Sequence, residues 1–130
     1  MRTIKFRGKS SYDRRWIIGS LVPNGKRPCI AEFGKLFELT EVDYESVGQF
    51  TGVFDCNGKE VYEGDIVLAK SAGERRKCQV VYTEHSCGFI LHTIIGPWYI
   101  HADIDTKKDT LLEVIGNIYD NPELLKGCKR

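Results

Sequence analysis

The 130-residue chain has little of what usually labels a protein at first sight. Its apolar runs are short, as at Trp16-Ile17-Ile18 and Phe89-Ile90-Leu91, against the roughly 20 residues a membrane-spanning helix needs. The opening residues contain no apolar stretch of the kind that begins a secretory signal, so a soluble, cytoplasmic protein is expected, with no membrane partner. The five cysteines, at 29, 56, 78, 87 and 128, are odd in number and include no C-x2-4-C pair, and the three histidines form no H-x3-5-H pair. Both absences argue against a zinc module or a disulfide framework and predict reduced thiols. There is no G-x-S-x-G, no Walker-type phosphate loop, no G-x-G-x-x-G and no H-E-x-x-H. No segment repeats the i, i+3, i+4, i+7 apolar pattern over a dozen residues, which excludes a helical bundle.

What is present is a patterned charge. The formal net charge is only +1. Yet residues 1–27 hold eight basic side chains and one acid, a net +7, and residues 28–65 hold two basic and nine acidic ones, a net −7. Two readings compete. Either the two stretches compensate each other within one fold or across a subunit contact, or the basic segment is a face for phosphates or another polyanion. The second reading takes Lys5, Arg7, Lys9, Arg14 and Arg15 as contacts, with Phe6, Tyr12 and Trp16 interleaved, and adds a basic tip at Arg75, Arg76 and Lys77. Against it, Phe6 and Trp16 alternate with charges as inward-facing residues of amphipathic strands do, and the overall charge is near zero.

Strand signals recur along the chain. Residues 3–7 alternate Ile4 and Phe6 with Lys5 and Arg7, a half-buried strand. Residues 15–22 follow, where consecutive Trp16, Ile17 and Ile18 suggest burial on both faces before the Pro23-Asn24-Gly25 turn. Residues 29–33 and 35–39 form a possible hairpin about Gly34, and 40–46 is a loop or one helical turn. Asp55-Cys56-Asn57-Gly58 reverses the chain between strands at 49–54 and 59–62, and Glu63-Gly64-Asp65 turns it again into a strand at 66–69. An exposed tip at 70–77 then leads to strands at 78–83, 88–94, 98–104 and 112–119. Asn121, Pro122 and Glu123 start a helix of one or two turns that Gly127 stops. The expectation is a mostly β chain, a small barrel or roll, in one domain over 1–130 with an N-terminal β segment at 1–46 and a barrel-like part at 47–130.

The candidate constellations for chemistry mostly fail on geometry. His85 and Cys87 could supply two metal ligands but need two more from remote chain. His101, Asp103 and Asp105 share a strand face, but the outer pair lie about 13 Å apart at strand rise, too far for one ion. As a calcium loop the segment has Lys107 for an acid, Lys108 for the glycine and Val114 for the bidentate glutamate. Glu60 and Glu63 are expected as exposed turn residues and Asp65 as an acceptor of local backbone N–H groups. No cofactor and no catalytic residue is expected, and no turnover that depends on His85, His92 or His101.

Several of these segments together resemble a known family. Ile4-Lys5-Phe6-Arg7-Gly8-Lys9, Trp16-Ile17-Ile18-Gly19-Ser20-Leu21-Val22, Val47-Gly48-Gln49-Phe50-Thr51-Gly52, the run from Asp55 to Val67, and Val114-Ile115-Gly116-Asn117-Ile118-Tyr119-Asp120-Asn121-Pro122-Glu123-Leu124-Leu125 look like the YopX-like proteins of phages and prophages. The resemblance implies a phage-derived protein of a bacterial cytoplasm with an SH3-like barrel in its C-terminal part, and it carries over no catalytic or ligand-binding residue. The resulting expectation is a non-enzymatic binding or assembly module, a homo-oligomer or the partner of another protein. A nucleic-acid-binding accessory protein and an enzyme without a recognisable motif are the alternatives.

Overall fold

The computed structural model describes residues 3–36, 38–71, 74–84, 88–93 and 110–126, and packs as two compact units, Met1–Gly52 and Val53–Arg130. In the first unit, β1 (Phe6–Lys9), β2 (Trp16–Val22), β3 (Cys29–Glu32) and β4 (Leu39–Glu41) are followed by a single 3-10 turn at Tyr44–Ser46 and by β5 (Gly48–Phe54), whose end runs on past Gly52. The sheet order is β4-β3-β2-β1-β5, with every described ladder antiparallel.

Alternation along β2 decides which residues enter the core. Ile17 is fully buried and packs with Ile30, Val42, Phe6, Leu21 and Val47. The sheet curls to enclose them. Ser10 bridges Val42, the Ser11 amide donates to the Glu41 carbonyl, and the Asp43 amide donates to the Lys9 carbonyl, so the free edge of β4 meets the end of β1. Glycine permits this closeness: a Cβ on Gly8 would stand 2.9 Å from Val42 Cβ.

In the second unit, the end of β5 pairs with β6 (Glu60–Tyr62), and a four-stranded antiparallel sheet has the order β10-β7-β8-β9. Its strands are β7 (Asp65–Ser71), β8 (Glu74–Thr83), β9 (Gly88–Thr93) and β10 (Thr110–Asn117), with a bulge between Val114 and Gly116. Val61, Val67, Cys78, Val80, Leu91 and Leu112 form the core. Gly64, at φ +93°, turns β6 into β7; its amide donates to Val80 and its carbonyl accepts from the Ile118 amide. The one-turn helix α1 (Glu123–Lys126) follows Asn121 and Pro122 as expected.

The chain is mostly β with one short helix, and the described residues form no closed barrel. Four local expectations change. The first strand begins at Phe6, and Ile4 is exposed. The strand expected at 35–39 is instead a turn leading to β4, because Gly34 at φ +87° and the Lys35 amide bonded to the Glu32 carbonyl continue the reversal. The basic tip is strand: the β7–β8 ladder extends to Ser71 opposite Glu74, so Arg75, Arg76 and Lys77 are residues of β8. Glu60 is half-buried in β6 and accepts a hydrogen bond of 2.8 Å from the Tyr62 hydroxyl. Asp65 does accept from a local amide, that of Tyr62, at 2.7 Å. The expected strand at 98–104, the Gly127 stop, and His85, Cys87, His101, Asp103 and Asp105 lie outside the described residues.

Candidate functional site

The sheet of the first unit has a covered and an uncovered side. Register places Ile18 opposite Arg7 on β1, Ser20 opposite Ala31 and Val22 opposite Cys29 on β3, with Ala31 in turn opposite Leu39 on β4. The Phe33 amide bonds to the Ile18 carbonyl, continuing the ladder by one rung. Opposed residues point to the same face. Ile18, Ser20, Val22, Cys29, Ala31, Phe33 and Leu39 therefore share the face opposite the Ile17–Ile30–Val42 core. Along it Ile18 and Val22 are 37% exposed, Phe33 52% and Leu39 58%, and Leu36 in the adjoining turn is 84% exposed. Burial of Trp16, Ile17 and Ile18 on both faces is thus corrected: Ile17 takes the core, and period-2 geometry turns its neighbours outward.

The basic residues divide by the same parity. Lys5, Arg7 and Lys9 share one face of β1, and each lies over an aromatic ring: Lys5 Nζ is 5.0 Å from the Phe50 ring centre, Arg7 Cζ 4.7 Å and Lys9 Nζ 5.4 Å from that of Trp16. Trp16 accordingly lies among cations on the face away from the Ile17 core, whereas Phe6 packs against that core. Arg14 and Arg15 lie in the β1–β2 connection. Arg14 adopts φ +63° and pairs with Asp43, while Arg15 lies within 3.6 Å of Asp13 and 3.5 Å of Glu32. Arg27 pairs with Glu41 at 3.1 Å and Lys35 with Glu32 at 3.5 Å. Glu41 holds the Arg27 guanidinium above its ordinary pKa, and the Arg15 amide with the Ser10 hydroxyl holds the Asp13 carboxyl below its own. Several positive charges of residues 1–27 are therefore balanced by acids of 28–65 within this unit.

The second basic group is described by itself. Arg75 is exposed on β8, Arg76 is half-buried, and Lys77 Nζ donates to the Leu124 carbonyl of α1 at 3.4 Å. Asp55, which sequence reasoning treated only as a turn residue, is buried. Its Oδ1 accepts from the amides of Asn57 at 2.9 Å and Lys59 at 2.8 Å, and its Oδ2 from that of Val114 at 3.0 Å. The Asp-x-Asn-Gly pattern signals the first two bonds; nothing local signals the third. Among the described residues no three His, Cys, Asp or Glu side chains form a metal-binding group, and no helix is long and apolar enough to cross a membrane. Cys29, Cys56 and Cys78 are free thiols, half-buried, exposed and buried respectively.

A family model described as YopX protein matches residues 5–126. The chain is also similar to the crystal structure of protein EF1440 from Enterococcus faecalis, with 25% sequence identity over 96% of this chain and 99% of that one, and a TM-score of 0.52. No curated protein sequence matches it.

Proposed function

This chain belongs to the YopX protein family, and from that premise we propose that it is a non-enzymatic module that assembles with itself, in the cytoplasm of a bacterium carrying a phage or prophage. The observation that carries the reading is where apolar surface is left uncovered. Ile18, Val22, Phe33 and Leu39 lie in neighbouring rungs of one sheet face, and contiguous exposed apolar patches on small proteins commonly mark interaction sites. The described residues offer little for the competing enzyme reading, since no nucleophile, base and orienting group stand together among them.

The assembly predicts a mass. Light scattering coupled to size exclusion at tens of micromolar protein should give a multiple of 14.8 kDa. Because Arg14, Arg15 and Arg27 have acidic partners within the chain, raising salt from about 0.1 to 1 M should leave that mass unchanged, although it shortens the screening length from roughly 10 to 3 Å. A mass of 14.8 kDa at low salt removes the reading.

A second reading, an accessory nucleic-acid-binding protein, draws on the row Lys5, Arg7, Lys9. Alternate strand residues lie about 6.6 Å apart, close to the spacing of successive phosphates, and Trp16 lies beside them. On that reading, fluorescence anisotropy should find DNA or RNA bound no more tightly than about micromolar, with a log–log salt slope of roughly −2 to −4. Binding that is absent at low salt, or that survives Arg7→Glu and Lys9→Glu together, excludes it.

A further inference from the structure

We propose that the assembly contact is a two-fold pairing of the outer β2–β3–β4 face with the same face of a second copy, centred on the rung Ser20–Ala31–Leu39. The inference rests on the self-assembly reading and specifies its surface.

Three features point to a copy of this chain rather than to an unlike partner. The first is the arrangement of side-chain size. Large apolar residues stand at the two ends of the face, Ile18 and Phe33 at one and Val22 at the other, with Ser20 and Ala31 between them. A two-fold axis through the central rung exchanges the ends, setting Phe33 of each chain over Val22 and Cys29 of the other while the small central residues let the two sheets approach. Self-complementarity of this kind is what an isologous contact requires.

The second feature is charge. The face is bordered by Arg27–Glu41 at its Val22 end and by Lys35–Glu32 at its Phe33 end. Exchange of the ends brings one opposed pair against another, with no like-charged block facing its equal. A border of both signs offers nothing to a polyanion and fits itself, and because each pair is already formed within its chain it directs register more than it adds affinity.

The third feature is that strand addition is obstructed at this edge. Both neighbours of β4 are occupied near Glu41 and Val42, by β3 on one side and by Ser10 and Ser11 on the other. The apolar face is therefore the surface left to bury. Four to five side chains form an area smaller than the ~800 Å² per partner of a standard interface, so the dimer should dissociate in the micromolar range.

The test uses the full chain in light scattering and sedimentation velocity between about 1 and 100 μM. Phe33→Asp and Leu39→Asp place a charge in the contact and should each raise the dissociation constant at least tenfold. Tyr12→Asp, at an exposed position in the β1–β2 connection and outside the face, should leave it unchanged. If Phe33→Asp alters the near-ultraviolet circular dichroism, Phe33→Ser, which removes the ring without adding charge, replaces it. A multimer that persists in both Asp variants with native spectra overturns this contact and leaves self-assembly standing. A wild-type monomer at 100 μM, whatever other protein the face then binds, overturns both.

Discussion

Gly19→Ala should unfold the first unit or cost it roughly 3 kcal/mol or more, at the upper end of what overpacking does. Gly19 is buried in β2 opposite Glu32. A Cβ there would stand 2.0 Å from the Ala31 carbonyl oxygen, 2.8 Å from its carbon and 2.9 Å from Glu32 Cα. All three are backbone atoms of the adjacent strand, so no rotamer change relieves the clash, and β3 must move out of its ladder with β2. The loss then reaches Ile30, fully buried on β3, which packs with Ile17 and Val42. Whole domains are stable by only about 0.05–0.15 kcal/mol per residue, so the unit has little in reserve. Gly25→Ala is the control: its φ of +60° makes alanine strained, but nothing lies within 4 Å of the added carbon, so about 1 kcal/mol is expected. Urea unfolding followed by Trp16 fluorescence distinguishes the two, and equal midpoints for them would show that the close approach at Gly19 is not rigid.

Asp55→Ala should destabilise the second unit by about 2–4 kcal/mol, because three backbone amides lose a buried charged acceptor and each such bond contributes about 1.5–3 kcal/mol non-additively. The same side chain should make the unit acid-sensitive. Burial raises the Asp55 pKa, but the amides of Val114, Lys59 and Asn57, with the Lys59 charge, outweigh it and hold the carboxyl below its ordinary value. A carboxylate whose folded pKa is depressed adds stability that is fully present above its unfolded pKa of about 4 and disappears as pH falls through the folded value. Stability of the wild type should therefore fall as pH drops below about 4. The Asp55→Ala protein should be less stable at pH 7 and lose less on acidification. Parallel pH profiles of denaturant midpoint for the two proteins would show that Asp55 is not the group responsible. Asp55→Asn should not restore stability, since its amide nitrogen turns a donor toward groups that are themselves donors.

The sequence by itself determined the class of fold and most of its punctuation. Period-2 alternation in β1 and β2, β-branched residues in β7 and β8, and the Asp55–Gly58 and Glu63–Asp65 turns are local signals, because strand pleat and turn dihedrals depend on a few consecutive residues. The Asn121-Pro122-Glu123 start of α1 is local in the same way. Alternation shows that a strand has two faces without saying which is covered. Only the tertiary structure assigned Ile17 to the core and Trp16 and Ile18 to the other side, leaving the apolar face on which the assembly proposal stands. Partnerships across the chain were equally invisible. Arg14 with Asp43, Asp55 with the Val114 amide and Gly19 against Ala31 join residues 29, 59 and 12 positions apart. Each depends on how strands are ordered and how tightly the sheet curls, quantities set by the packing of the whole unit. The opposed charges of the first 65 residues were legible as a sum, but that several of them close on each other within the first unit, leaving apolar contact as the means of assembly, was decided in three dimensions.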